Sequence, residues 1–126
     1  MKLNTILIIN AIVSLLNATG AILFPSIILN TYGVPTGTGA ELMAQYAGIG
    51  SVAIGLLAYW ATRIKQAEAK RYILMAFFVS DIIGVILSIL GTFNKTMNIS
   101  GWALVAIYLF FATGYGYFLF VKKEGM

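Results

Sequence analysis

Asp81 is the residue in this sequence with the clearest potential for chemistry, because it is the single charged side chain within a long apolar segment. A carboxylate in such a segment is expensive to bury and is by default a hypothesis for a functional site. At helical spacing, Gly84 and Ser88 share its face, at i+3 and i+7. A group in this setting can bind a ligand or relay a proton.

The first apolar segment has polar residues at the helical period, Asn10, Ser14 and Asn17. In the last apolar segment, Tyr108 and Tyr115 also share a helix face. We expect the first-segment stripe to lie at the depth of Asp81 and to face it, with Tyr115 reaching the same depth from the other direction. The predicted polar site therefore comprises Asp81, Asn10, Asn17, Ser14, Tyr115 and Ser88. It is either a binding site or proton relay, or a structural clamp in which Asp81 hydrogen-bonds to Asn10 or Tyr115.

Glu41 and Gln45 open the second apolar segment and form a second candidate site. An acidic residue in the first turn of a helix is favourable in itself, because the helix N-terminus carries a partial positive charge. The alternative interpretation is an outer mouth, at which Glu41 and Gln45 contact a ligand or act as a gate.

The sequence has no Cys and no His. It therefore lacks thiol nucleophiles, the usual haem ligands, most zinc sites and the Ser-His or Cys-His pairs of covalent catalysis. We accordingly predict that the protein is not an enzyme and has no catalytic residues, no metal and no cofactor.

The elements that position these residues follow from hydropathy. The chain has 126 residues, 60% hydrophobic and 10% charged, against roughly 25% charged in soluble domains. Four segments are long enough for the ~20 helical residues that cross a bilayer core, at residues 3–24, 42–62, 72–93 and 101–121. We predict a single all-α membrane domain over residues 1–126, an up-down-up-down bundle of four transmembrane helices. Pro25 favours a short interfacial helix over residues 26–32, and residues 33–39 are predicted to be a loop.

The basic residues indicate the orientation. Seven of the eight Lys and Arg residues fall on the side that holds both termini and the middle loop, and Lys95 alone falls on the other. The positive-inside rule then places the N- and C-termini in the cytoplasm. The middle loop contributes four of the seven, which we expect to contact anionic lipid headgroups: Arg63, Lys65, Lys70 and Arg71.

Small residues recur at helical spacing in the second and third segments, among them Gly48, Ser51, Gly55 and Gly84. Such residues let helix backbones approach closely in lipid. We therefore predict that they pack helices together, either within one chain or between subunits.

Three stretches carry a resemblance to a known group: residues 41–55 (ELMAQYAGIGSVAIG), 80–84 (SDIIG) and 114–120 (GYGYFLF). With these the chain resembles an uncharacterised family of small bacterial four-span membrane proteins, loosely grouped with the DoxX-like families. The resemblance implies a four-helix bundle in a bacterial inner membrane, and it implies no catalytic residues.

Two functions are compatible with these features. The first is a small non-enzymatic accessory or scaffold protein of the inner membrane, which holds a lipid or another apolar molecule between its helices. The alternative is a minimal transporter or channel with a buried polar path around Asp81. The expected partners are membrane lipids and a second copy of the chain or another membrane protein, and not nucleic acid.

Overall fold

The fold is known from a computed structural model, which describes residues 2–121; all its regular elements there are helices. Four of them are long and apolar enough to span a membrane: α1 (Leu3–Leu23), α3 (Thr38–Ala61), α4 (Ala67–Phe93), and α5 (Gly101–Gly116), which continues as a π-helical turn (Tyr117–Val121). A short helix, α2 (Pro25–Thr31), follows α1. The predicted all-α membrane protein with four transmembrane helices is confirmed.

Helix α1 ends where proline begins the next helix. Pro25 occupies the first turn of α2, a position that tolerates proline because the first amide groups of a helix have no partner within it. The amide of Phe24, between the two helices, still donates to the carbonyl of Gly20 at 2.8 Å. The chain therefore turns sharply without losing this hydrogen bond.

Helices α3 and α4 each begin before the apolar segments that predict them. Helix α4 starts at Ala67 rather than near residue 72, so Lys70 and Arg71 belong to its first turns and not to a loop. The run Ala-Glu-Ala-Lys-Arg at residues 67–71 is composed of strong helix formers. Hydropathy therefore predicts where the apolar segment begins. The helix itself begins earlier, because the residues before that segment have high helix propensity.

The bundle consists of two helical hairpins, α1 with α3 and α4 with α5. Glycines on α3 allow the first hairpin to pack closely. A Cβ atom on Gly55 would lie 2.7 Å from Leu15 Cγ, and one on Gly48 would lie 2.8 Å from Ile22 Cγ1. Helices α1 and α5 join the two hairpins.

We call the end at which α1 begins and α5 ends the basic end. The described part of the chain carries five basic residues there, Lys2, Arg63, Lys65, Lys70 and Arg71. Lys122 and Lys123 lie outside the described residues. All four long helices contribute to the apolar core near this end, whose fully buried side chains include Leu7, Leu74, Tyr115 and Leu119. The bundle is therefore closed at the basic end.

At the opposite end, the chain after α2 is tied to the α4–α5 connection. The Asn98 amide donates to the Tyr32 carbonyl at 2.8 Å, and its side-chain Nδ2 donates to the Thr31 carbonyl at 3.2 Å. Gly33 has a positive φ of 70°, which glycine adopts without strain. A Cβ atom there would lie 3.0 Å from the Asn98 side chain. These contacts join the two hairpins.

Candidate functional site

A cavity of about 170 Å³ lies among α1, α3, α4 and α5, between the apolar core and the opposite end of the bundle. Its wall is mixed, with carboxylate, amide and hydroxyl groups beside aliphatic and aromatic side chains. The lining residues are Asn10, Val13, Ser14, Asn17, Tyr32, Ser51, Ile54, Asp81, Leu104, Ile107, Tyr108 and Phe111.

The end of the cavity nearest the core is a hydrogen-bonded chain of three side chains. Asn10 Nδ2 donates to the Tyr115 hydroxyl at 2.7 Å, and the Ser14 hydroxyl donates to Asn10 Oδ1 at 2.9 Å. Asn10 is 6% exposed and Tyr115 is fully buried. Tyr115 lies behind this wall, where its ring packs against Phe77 and Phe111. Each polar atom of the Asn10 amide therefore has a partner despite its burial.

A second polar pair spans the α1–α3 contact, where Asn17 Nδ2 donates to Ser51 Oγ at 3.0 Å. Ser51 shares a face of α3 with Gly48 and Gly55. The same close approach that those glycines permit brings the two polar groups within hydrogen-bond distance.

Asp81 differs from the other polar groups of the cavity. Its Oδ2 atom is buried and has no hydrogen-bond partner among residues 2–121. This oxygen therefore makes neither of the hydrogen bonds of the predicted clamp, to Asn10 or to Tyr115. Asn10 and Tyr115 instead bond to each other, and Asp81 faces the cavity that Asn10 also lines.

Gly84, one turn beyond Asp81, accommodates the ring of Tyr108. A Cβ atom at position 84 would lie 2.6 Å from Tyr108 Cδ1, closer than real Cβ contacts allow. The missing side chain thus lets the aromatic ring rest on the α4 backbone beside Asp81, and Tyr108 becomes part of the cavity wall.

Tyr32 lines the cavity from outside the membrane-spanning helices, in the chain that follows α2. Burial raises the pKa of its phenol above the ordinary value, because the charged phenolate is less well solvated there. A phenol is already protonated at neutral pH at its ordinary pKa of about 10, so the Tyr32 hydroxyl can donate a hydrogen bond in the cavity.

The remaining candidates of the polar site and outer mouth do not line this cavity. Ser88 is buried at 5% exposure, and its carbonyl accepts a hydrogen bond from the Thr92 hydroxyl at 2.8 Å. Gln45 Nε2 donates to the Ile22 carbonyl at 3.1 Å, near the end of α1. Glu41 lies in the first turn of α3.

The four basic residues between Arg63 and Arg71 have different surroundings. Lys65 is exposed. Arg63 donates to the Tyr59 hydroxyl at 2.9 Å, and Arg71 donates to the Leu119 carbonyl in the π-helical turn at 3.0 Å. Lys70 is only 4% exposed, and its Nζ donates to Asn4 Oδ1 at 2.9 Å. Lys70 thus joins α4 to α1 rather than extending from the bundle.

The sequence predicts that Ser51 and Gly84 pack helices together and that Tyr32 lies at the outer membrane interface, and it predicts no role for Phe111. One signal did exist for Tyr108, which shares a helix face with Tyr115 at i+7. Nothing in the local sequence around Tyr32 shows that it folds back over the bundle interior, because that depends on its contact with the distant Asn98.

No family model, no curated protein and no solved structure matches this chain. The resemblance to the DoxX-like families therefore remains a prediction from the residues alone.

Proposed function

We propose that the protein is a small non-enzymatic accessory protein of the bacterial inner membrane, and that it binds a small amphipathic molecule in the cavity around Asp81. The proposal rests on one observation, a cavity whose wall contains both polar and apolar side chains. An engineered apolar cavity of about 150 Å³ is large enough to hold benzene, and the cavity here is of similar volume. Its polar wall distinguishes it from an accidental packing gap.

The positive-inside rule supports an orientation in which the basic end and both termini face the cytoplasm. The cavity then faces the periplasmic half of the bilayer, with Tyr32 in its wall. The exposed apolar faces of the four long helices contact lipid or a second copy of the chain.

A transporter is the second candidate, and one observation favours it. A polar path from Asn17 through Ser14 to Asn10 and Asp81 runs along the cavity wall. Passage through the bundle would also require the apolar core at the basic end to open, because Leu7 and Leu74 are fully buried there. Flux into liposomes that is lost in Asp81→Asn would identify a transporter, whereas a bound molecule without flux supports the accessory protein.

Native mass spectrometry of the protein extracted from its own membrane tests ligand binding directly. We expect an added mass on the wild type that disappears in Leu104→Trp, because the indole fills the cavity that Leu104 lines. Leu109→Trp is the matched control, since Leu109 lies on the same helix but is 49% exposed, away from the cavity. Retention of the same mass by Leu104→Trp would contradict the proposal.

A further inference from the structure

We infer that the molecule held in the cavity is a small organic cation, an ammonium compound about the size of one aromatic ring, with its charged head at Asp81. This inference rests on the proposed function, since it names the chemical class of ligand for the same cavity.

The charge of the cavity wall is the first argument. Asp81 is the one charged group among the described residues that line the cavity, and none of them is Lys or Arg. A buried carboxylate is strongly destabilised without a compensating charge, so an ammonium group there would supply the missing counter-charge. An anionic ligand would meet the Asp81 carboxylate with no basic group to offset it.

The hydrogen-bond inventory is the second argument. Asn10 already bonds to Tyr115 and Ser14, and Asn17 bonds to Ser51. The amides are thus partnered within the protein, whereas the buried Oδ2 of Asp81 accepts no hydrogen bond from the described residues. An ammonium group carries donors and no acceptor, which complements this remaining acceptor.

Aromatic rings around the carboxylate are the third argument. Tyr32, Tyr108 and Phe111 all line the cavity. Gly84 leaves room for the Tyr108 ring to lie against the backbone of the helix that contains Asp81. Aromatic faces attract organic cations through the ring quadrupole, most strongly where water is excluded. A carboxylate combined with aromatic walls favours an alkyl- or arylammonium ion over a hydrated inorganic one.

A divalent metal ion is a poorer fit to the same residues. Such ions take several carboxylate or imidazole ligands. Within the part of the chain that the structure describes, no group of three or more His, Cys, Asp or Glu side chains could hold one. The volume of about 170 Å³ also exceeds what a single ion occupies.

The experiment compares three probes of nearly equal size, benzylammonium, benzyl alcohol and benzoate, by isothermal titration into protein reconstituted in nanodiscs, with empty nanodiscs as the blank. We expect benzylammonium to bind about tenfold more tightly than benzyl alcohol. A gain in affinity of this size is typical of one desolvated cation–π or charge-assisted contact. Benzoate should bind most weakly.

Two variants assign the preference to the carboxylate. Asp81→Asn should lower the ratio of benzylammonium to benzyl alcohol affinity to about one while leaving the affinity for the alcohol unchanged. Asp81→Glu, which keeps the charge, should preserve the preference. Equal affinities in the wild type, a preference for benzoate, or an unchanged preference in Asp81→Asn would overturn the inference.

The pocket-filling variant separates this inference from the proposed function. If Leu104→Trp abolishes binding of all three probes but the wild type does not prefer the cation, the cavity binds small molecules and only the inference is wrong. If no probe binds more tightly to the wild type than to Leu104→Trp, the proposed binding function is itself contradicted, and the inference with it.

Discussion

At the scale of single residues, the cavity wall contains two kinds of polar group. Asn10 and Asn17 have their hydrogen bonds satisfied by other side chains of the bundle, which is the usual condition of buried polar groups. Asp81 has a buried oxygen without such a partner among the residues that the structure describes. The amides therefore hold helices together, whereas the carboxylate is available to something that enters the cavity.

The hydrogen bond between Asn10 and Tyr115 gives a prediction about stability. Tyr115→Phe removes the acceptor and leaves a buried amide unsatisfied, and we expect a loss of about 1 kcal/mol in the free energy of unfolding. Unfolding in mixed micelles measures this loss. Tyr117→Phe is the control, because Tyr117 is 46% exposed. A double-mutant cycle with Asn10→Leu should show non-additive losses; strictly additive losses would contradict a direct bond.

Gly84 gives a prediction about ligand binding. Gly84→Ala places a methyl group against the Tyr108 ring, so the ring must move relative to Asp81. We expect weaker binding of benzylammonium, with a stability loss of about 1–3 kcal/mol from overpacking. Titration of the variant in nanodiscs checks the affinity. An affinity equal to that of the wild type would show that the position of Tyr108 is unimportant for binding.

At the scale of elements, the four spans could be predicted from hydropathy, but the pairs of helices in contact could not. The polar residues of α1 line the same cavity as Asp81 on α4, but they do not form their hydrogen bonds with it. Asn10 pairs with Tyr115 on α5, and Asn17 pairs with Ser51 on α3. Periodicity identifies which residues share a face. Which helix that face meets depends on close approach at positions such as Gly48 and Gly55, and a single sequence does not reveal their partners.

The contact between α1 and α3 gives the prediction at this scale. Gly55→Ala would bring a Cβ atom within 2.7 Å of Leu15 and 3.3 Å of the Ala11 carbonyl. We expect a loss of about 1–3 kcal/mol in stability. Gly50→Ala, on the same helix, meets no atom of residues 2–121 within 4 Å. It should leave stability unchanged or raise it by up to about 1 kcal/mol through helix propensity. Equal effects of the two substitutions would contradict the proposed packing.

At the scale of the whole molecule, the bundle is asymmetric along its length. The apolar core seals the basic end, and the cavity extends from Asn10 to Tyr32 toward the opposite end. The hydrogen bond from Asn98 to the Tyr32 carbonyl lies at that same opposite end. A molecule that reaches Asp81 should therefore enter from the end that carries Lys95.

The sequence contains no Cys, so single cysteines can test both the orientation and this route. Thr96→Cys and Gln66→Cys lie at exposed positions at the opposite end and the basic end. With the termini in the cytoplasm, a membrane-impermeant maleimide added to intact cells should label Thr96→Cys. It should label Gln66→Cys only after permeabilisation. The reverse pattern would contradict the orientation.

Ser51→Cys places a thiol in the cavity wall. Ser80→Cys places one at the exposed position directly before Asp81, which does not line the cavity. A small, charged methanethiosulfonate reagent should modify Ser51→Cys from the side that labels Thr96→Cys, because thiolates react only where water or a polar reagent reaches them. Ser80→Cys should stay unmodified, because we expect the exposed side of a membrane-spanning helix to contact lipid. Modification of Ser51→Cys only from the basic end would mean that the apolar core, and not the Tyr32 side, is the entrance to the cavity.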